Sequence, residues 1–410
     1  MARLVVFFDG TWNTPDNGSQ STNVVKLLRA TPCEDSPFKT RQITFYDRGV
    51  GTGNMLDKIV GGASGEGLSE NVMDGYRFLA NNYMPGDEIY VFGFSRGAYT
   101  ARSLVGFIAA GGLLHPERLG KDLVKVIEIC RNTAKLDTRK KAIQDLNLAR
   151  YADVRIKCVG VWDTVGSLGI PGDLGRRFLP DIYRFHDVQL SSAVDVALHA
   201  VAIDEKRSAF APTLWVGPKE KPTFDGQIVE QVWFAGVHSN IGGSYADNKL
   251  SDITLDWMIK RVRKHTELAI SWKDIVAADA SKYVDGKGYE SRSGFYVDSK
   301  LYPYQRLINQ LVPEGDGFGE WFRQTFKDYD RRNLVPKGLT TVNEYLHISA
   351  LQRWNLPAVL HDCPEDSDGK PQPYRPVNLA AVVNAANRGG KAPIDVVGWD
   401  GEVDRSAIWP

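Results

Sequence analysis

The sequence predicts an α/β protein built on a mostly parallel central sheet with helices on both faces, and three observations lead there. Short apolar, β-branched or aromatic runs recur along the chain, too continuous for strands with one solvated face. Stretches with apolar residues at helical spacing alternate with them, the rhythm of strand–helix–strand units. The chain of 410 residues, 43% of them hydrophobic, is long enough to bury a large core.

The elements follow in order. Leu4 to Phe8 is a continuous apolar run ending in Asp9-Gly10-Thr11, as a central parallel strand does when it enters a loop. Thr22 is an N-cap candidate for a helix that places Val24, Leu27 and Leu28 on one face. Ile43 to Tyr46 is a short strand before the glycine-rich stretch Gly49 to Gly53. Ser69 can cap a helix carrying Val72, Tyr76, Leu79 and Tyr83, which Pro85-Gly86 closes. The strand Ile89 to Phe92 runs into Gly93-Phe94-Ser95-Arg96-Gly97 and a helix from Ala98 to Ala110, stopped by Gly111-Gly112. Further strands are expected from Val154 to Trp162, ending at Asp163, and from Val229 to Phe234, ending just before His238. His199 falls in an apolar run of helical appearance. One domain spans 1–410. Residues 113–150 and 265–335 break the rhythm and are expected to be insertions forming a cap over the carboxyl ends of the strands. Residues 364–410, rich in Pro, Gly and Asp, are expected to be a C-terminal surface extension or a frayed end.

Composition removes several classes of function. Lys+Arg and Asp+Glu number 50 each, so charge supplies no attraction to nucleic acid or to an anionic membrane surface. Four well-separated cysteines (Cys33, Cys130, Cys158, Cys363) indicate neither a zinc site nor a disulfide scaffold, and reduced thiols in a cytosol are expected. No run approaches the roughly 20 apolar residues needed to span a bilayer. The apolar start is too short for a signal-peptide core, so a cytoplasmic location in the producing cell, with any export not relying on such a peptide, is expected.

The chemistry centres on Gly93-Phe94-Ser95-Arg96-Gly97, a match to G-x-S-x-G. With 39 glycines in the chain the bare pattern is weak, but here it has the required strand before it and helix after it. A strained strand-to-helix turn of this kind exposes a nucleophilic serine above the sheet of an α/β-hydrolase-like fold. A serine hydroxyl becomes nucleophilic when an imidazole accepts its proton, and a carboxylate must hold that imidazole in one tautomer. In this fold the partners follow in the order acid, then histidine. His238 comes directly after a strand, beside glycines; His347 is its reserve, with Asn343-Glu344 close by, while His115, His186, His199 and His265 are expected to be structural or exposed. Asp163 ends a strand between Ser95 and His238, and Asp204 is its rival. The oxyanion of acyl transfer needs backbone donors from the residue after the nucleophile and from an earlier strand–helix loop, here Arg96 together with Gly10 and Thr11.

Asp9-Gly10-Thr11 also suggests the start of metal-dependent phosphotransferases, but Phe7 stands where their aspartate nucleophile would be. The glycine runs at 49–53 and 61–67 lack the Gly-Lys-Ser/Thr ending of a phosphate loop, and no HExxH, paired-cysteine or EF-hand spacing occurs. No cofactor or metal is expected. The rivals to a serine hydrolase are a non-catalytic interaction module on a hydrolase scaffold and a metal-dependent phosphohydrolase.

Six ordered blocks carry a resemblance: Phe7 to Asn13, Tyr46 to Thr52, Gly93 to Arg102, Gly160 to Val165, His199 to Glu205 and Gly236 to Gly243, with weaker echoes at Leu346 to Ser349 and Tyr374 to Asn378. Over roughly residues 4–260 the chain resembles the uncharacterised α/β-hydrolase-domain family that includes the phospholipase effectors of bacterial type VI secretion. The resemblance implies a serine hydrolase acting on ester bonds, in some members the acyl esters of phospholipids. It implies Ser95 as nucleophile, Asp163 as acid and His238 as base. A secretion apparatus and an immunity protein are the partners it implies.

Overall fold

The computed structural model describes residues 1–10, 20–35, 39–49, 66–133, 136–165, 190–207, 210–271, 279–292, 304–311, 335, 338–362, 370–389 and 392–410. Nine strands among them form one sheet: β1 (Ala2–Phe8), β2 (Glu34–Asp35), β3 (Thr40–Asp47), β4 (Glu88–Phe94), β5 (Ile156–Trp162), β6 (Val194–Ala202), β7 (Ile228–Phe234), β8 (Glu344–His347) and β9 (Asp395–Val397). Their order across the sheet is β9-β8-β7-β6-β5-β4-β1-β3-β2, and all neighbours are parallel except β2 with β3. The helices are α1 (Asn23–Ala30), α2 (Glu66–Asn82), α3 (Arg96–Gly111), α4 (Leu119–Asn132), α5 (Leu136–Asp145), α6 (His238–Gly242), α7 (Lys249–His265), α8 (Ile348–Asn355) and α9 (Val377–Gly389). This is the mostly parallel α/β architecture that the rhythm of runs predicts.

β1 shows why both faces are covered. Its side chains alternate, so Leu4, Val6 and Phe8 pack with Tyr76 and Leu79 of α2 and Ala98 and Leu104 of α3. Val5 and Phe7 pack on the other face with Val24 and Leu27 of α1 and Ile253 and Trp257 of α7. Each such side chain contributes about 1.5–3 kcal/mol by leaving water, which holds β1 in the middle of the sheet. A third cluster joins β6 to β9 with α8 and α9 through Val201, Trp233, Leu346, Leu351, Leu379 and Val396.

The chain order reverses at β1, with β3 on one side and β4 on the other. Ligands of open α/β sheets bind outside the carboxyl ends of the strands at such a switch point. The register levels those ends: Phe8 lies opposite Gly93, Phe94 opposite Trp162, Trp162 opposite Ala200 and Phe234 opposite Ala202. Asp9, Ser95, Asp163 and, after a short turn, His238 therefore leave the sheet along one edge.

Two readings of the sequence need correction. The run around His199 is the buried strand β6 rather than a helix, because a continuous apolar run lacks the period that separates the two. The segment after residue 364 is not a surface extension throughout: α9 and β9 belong to the third cluster, and β9 pairs with β8. Residues 113–150 leave the end of α3 and return to the amino end of β5 through an antiparallel pair, Leu113–Leu114 with Arg150–Tyr151. Both ends of that segment lie at the edge opposite Ser95. Part of 265–335 does reach the Ser95 edge, where the Lys287 carbonyl accepts from Asn240 Nδ2, whereas Ala269 bonds to Gln42 at the opposite edge. Among the described residues, no helix is long and apolar enough to cross a membrane.

Candidate active site

Ser95 precedes α3 with φ 60° and ψ −123°, a conformation L-residues rarely adopt and one that costs about 1–3 kcal/mol. The flanking glycines explain how the turn is tolerated. A Cβ on Gly97 would run into the carbonyl oxygens of Phe8 and Asp9, and one on Gly93 would lie 2.5 Å from the Gly97 carbonyl oxygen. Only glycines let the first turn of α3 press against the ends of β1 and β4. The Ser95 amide is held by the Trp162 carbonyl at 3.1 Å, and the serine lies at the N-terminus of a 16-residue helix, where partial positive charge favours a developing anion.

Asp163 leaves β5 in the left-handed region, φ 42°, and is fully buried. Oδ2 sits 2.6 Å from Nδ1 of His238, the first residue of α6. Oδ1 accepts from the Ala202 amide at 2.9 Å. Arg306, also fully buried, donates to Oδ1 at 2.6 Å and to Oδ2 at 3.0 Å. Burial alone would push the Asp163 pKa up; the Arg306 guanidinium and His238 override it and hold the carboxyl well below the usual carboxylate range.

The His238 ring lies between Phe94, 4.7 Å away centre to centre, and Phe210, 4.9 Å away edge-on. Burial draws its pKa below the ordinary 6.5, partly opposed by Asp163, so the neutral base is favoured near neutrality. Among the described residues Nε2 is buried with no hydrogen-bond partner, so the Ser95 hydroxyl is not bonded to it here. Phe94, in contact with the imidazole, directly precedes Ser95 in the chain. In the absence of substrate such catalytic hydrogen bonds are often long.

The rival residues are engaged elsewhere. Asp204 accepts from the Gly236 amide at 2.6 Å and from the Tyr374 hydroxyl at 3.0 Å, bracing the turn that leads to His238. His347 caps α8 through Ser349 and stacks on Phe234, with burial lowering its pKa to about 3. His199 accepts from the Thr164 amide at 3.1 Å through Nε2 and meets Gln231 Oε1 at 3.2 Å through Nδ1, which supports the loop carrying Asp163. Of the expected oxyanion donors, Gly10 requires correction: its N–H donates to its neighbour Asp9 Oδ1 at 2.7 Å and is not a free donor. Thr11 lies outside the described residues. The Arg96 amide lies in the first turn of α3, directly after Ser95.

Several residues here were given no site role by the sequence, although Asp9 and Glu205 lie within the blocks that carry the resemblance. Asp9, fully buried, also accepts from the hydroxyls of Thr22 at 2.8 Å and Tyr46 at 2.9 Å, and burial raises its pKa to about 6 against these bonds. Glu205 pairs with Arg207 at 2.8 Å and accepts from the His238 amide at 3.3 Å, while Arg207 stacks on Phe210. Arg306 lies in a stretch without periodicity, 143 residues from the aspartate it holds.

Sheet order, helix placement and the residues at the carboxyl edge define an α/β protein of the hydrolase-like class. The chain belongs to the T6SS phospholipase effector Tle1-like family, whose catalytic-domain model matches residues 2–261. The uncharacterized protein YEL023C of Saccharomyces cerevisiae is 29% identical over 231 residues, half of this chain and 32% of that protein. The chain thus spans about a third of the length of that curated relative. Among solved structures, an uncharacterized protein from Pseudomonas aeruginosa aligns with TM-score 0.40 and 18% identity over 69% of this chain and 48% of its own. The Tle1 effector bound to the VgrG spike of the type 6 secretion system aligns with TM-score 0.34 and 18% identity over 60% and 51%.

Proposed function

We propose that the protein is a serine hydrolase that cleaves carboxylic esters through an acyl-enzyme, with the acyl esters of phospholipids as its substrate class. The observation that carries this reading is the Asp163–His238 pair at 2.6 Å, beside a strained serine at the start of a helix. His238 Nε2 takes the proton as Ser95 Oγ attacks the ester carbonyl, and Asp163 holds Nδ1–H and stabilises the imidazolium. Collapse of the tetrahedral intermediate breaks the bond to the alcohol, which leaves with the proton from His238. Water then attacks the acyl-enzyme with His238 as base, releasing the fatty acid and restoring Ser95. The Arg96 amide is the first oxyanion donor and Thr11 the remaining candidate for the second.

The phospholipid preference rests on the family, and hydrolysis of the acyl esters would be cleavage of the phospholipase A type. So does export from the producing cell's cytosol by a type VI apparatus with a cognate immunity protein. A fluorophosphonate probe, followed by peptide mapping and a panel of p-nitrophenyl esters and phospholipids, tests the reading. Labelling at Ser95 with ester turnover that Ser95→Ala abolishes is expected. Folded protein that neither labels nor turns over any ester would point to a non-catalytic module, and turnover lost on chelation to a metal-dependent phosphohydrolase.

A further inference from the structure

We propose that Arg306 is the positioning residue of the catalytic acid: its fork holds the Asp163 carboxylate toward His238, and its charge sets the pH range in which His238 can act as a base. The inference rests on the serine hydrolase reading above. Its geometry is that of a built clamp. Nη1 donates to Asp163 Oδ1 at 2.6 Å and to the Ala202 carbonyl at 2.9 Å; Nη2 donates to Asp163 Oδ2 at 3.0 Å and to the Phe210 carbonyl at 2.6 Å. One side chain thus ties the turn after β5 to the end of β6 and to the loop whose phenyl ring packs on His238.

Two physical demands meet there. Asp163 stands in a left-handed turn, and its carboxylate is aimed by these bonds rather than by its backbone preference. The carboxylate is also fully buried, and a buried charge left without a partner is strongly unfavourable. The charged groups facing His238 are Asp163, Glu205 and Arg207, and Arg306 faces the Asp163 carboxylate. They form two ion pairs, Asp163 with Arg306 and Glu205 with Arg207, so the imidazole faces no net charge. Removing the Arg306 charge would leave the Asp163 anion with the imidazolium as its only close counter-charge, so His238 would hold its proton to higher pH. Lysine would retain the charge but lose the planar fork that reaches both oxygens and two carbonyls.

The test is NMR titration of the His238 imidazole in folded wild type, Arg306→Gln and Arg306→Lys, with kcat/KM against pH for a p-nitrophenyl ester. Arg306→Gln is expected to raise the His238 pKa by about one unit, in line with removing a charge this close. Arg306→Lys is expected to leave it within a few tenths while lowering kcat roughly tenfold. A His238 pKa unchanged or lowered in Arg306→Gln, or a wild-type kcat in Arg306→Lys, overturns the proposal. If Arg306→Gln does not fold, the rate of Arg306→Lys decides. Because the titration needs no turnover, the electrostatic claim is read separately from hydrolysis: wild type that never labels with fluorophosphonate defeats the hydrolase reading, not the charge relationship.

Discussion

Asp163 and His238 are 75 residues apart in the chain and 2.6 Å apart in the fold, and Arg306 holds both oxygens of the same carboxylate. Asp163→Asn should therefore do two things at once. It should lower kcat about 10⁴-fold by leaving His238 in the wrong tautomer. It should also destabilise the protein by about 3–5 kcal/mol, since the Arg306 charge is then buried without its partner. Steady-state kinetics and urea denaturation separate the two effects; a full loss of rate with unchanged stability would contradict the clamp.

Ser95→Gly should behave in the opposite way. The serine pays for its φ of 60° with strain that glycine does not carry. The variant is expected to lose ester turnover and to gain about 1 kcal/mol of stability. A lower denaturation midpoint than wild type would show that the turn is not strained.

The pH profile follows from the direction of the His238 shift. Burial lowers its pKa, and the base must be neutral to accept the Ser95 proton, so kcat/KM should rise with pH through a limb centred below 6.5 and be flat near neutrality. An acid limb centred above pH 7 would rule out His238 as a desolvated base.

Asp9 supplies a second pH dependence, in stability. Its folded pKa, about 6, is above the ordinary 3.8 of an aspartate, so the folded state binds more protons between those limits. Stability from this group is fully present below pH 3.8 and is lost as pH rises through about 6, on the order of 3 kcal/mol. The stability difference between wild type and Asp9→Asn should change across that window and be constant above it. A difference independent of pH would mean that Asp9 ionises normally.

Losing the imidazole that supports the acid's loop should be a milder change. His199→Leu leaves the Thr164 amide and the Gln231 side chain short of a partner, at a cost of about 1–3 kcal/mol. Fluorophosphonate labelling of Ser95 should persist at a reduced rate, and wild-type stability would mean that these buried groups found new partners.

The sequence by itself determined what local chemistry controls. The short apolar runs at Leu4, Ile89 and Val229 formed strands covered on both faces, Thr22 caps α1 as its type and position require, and the glycines at 93 and 97 admit the strained turn at Ser95. Because parallel strands end at a common edge, residues read at strand ends, Asp163 and His238, could be paired before any coordinates were known. Only the tertiary structure decided the rest. It made the His199 run a strand, brought β9 from the far end of the chain onto β8, turned the Gly10 amide toward Asp9, and set Arg306 against Asp163. These depend on which desolvated groups packing leaves in need of a partner, and a buried carboxylate can take its counter-charge from any distance along the chain, so no spacing or periodicity records the choice.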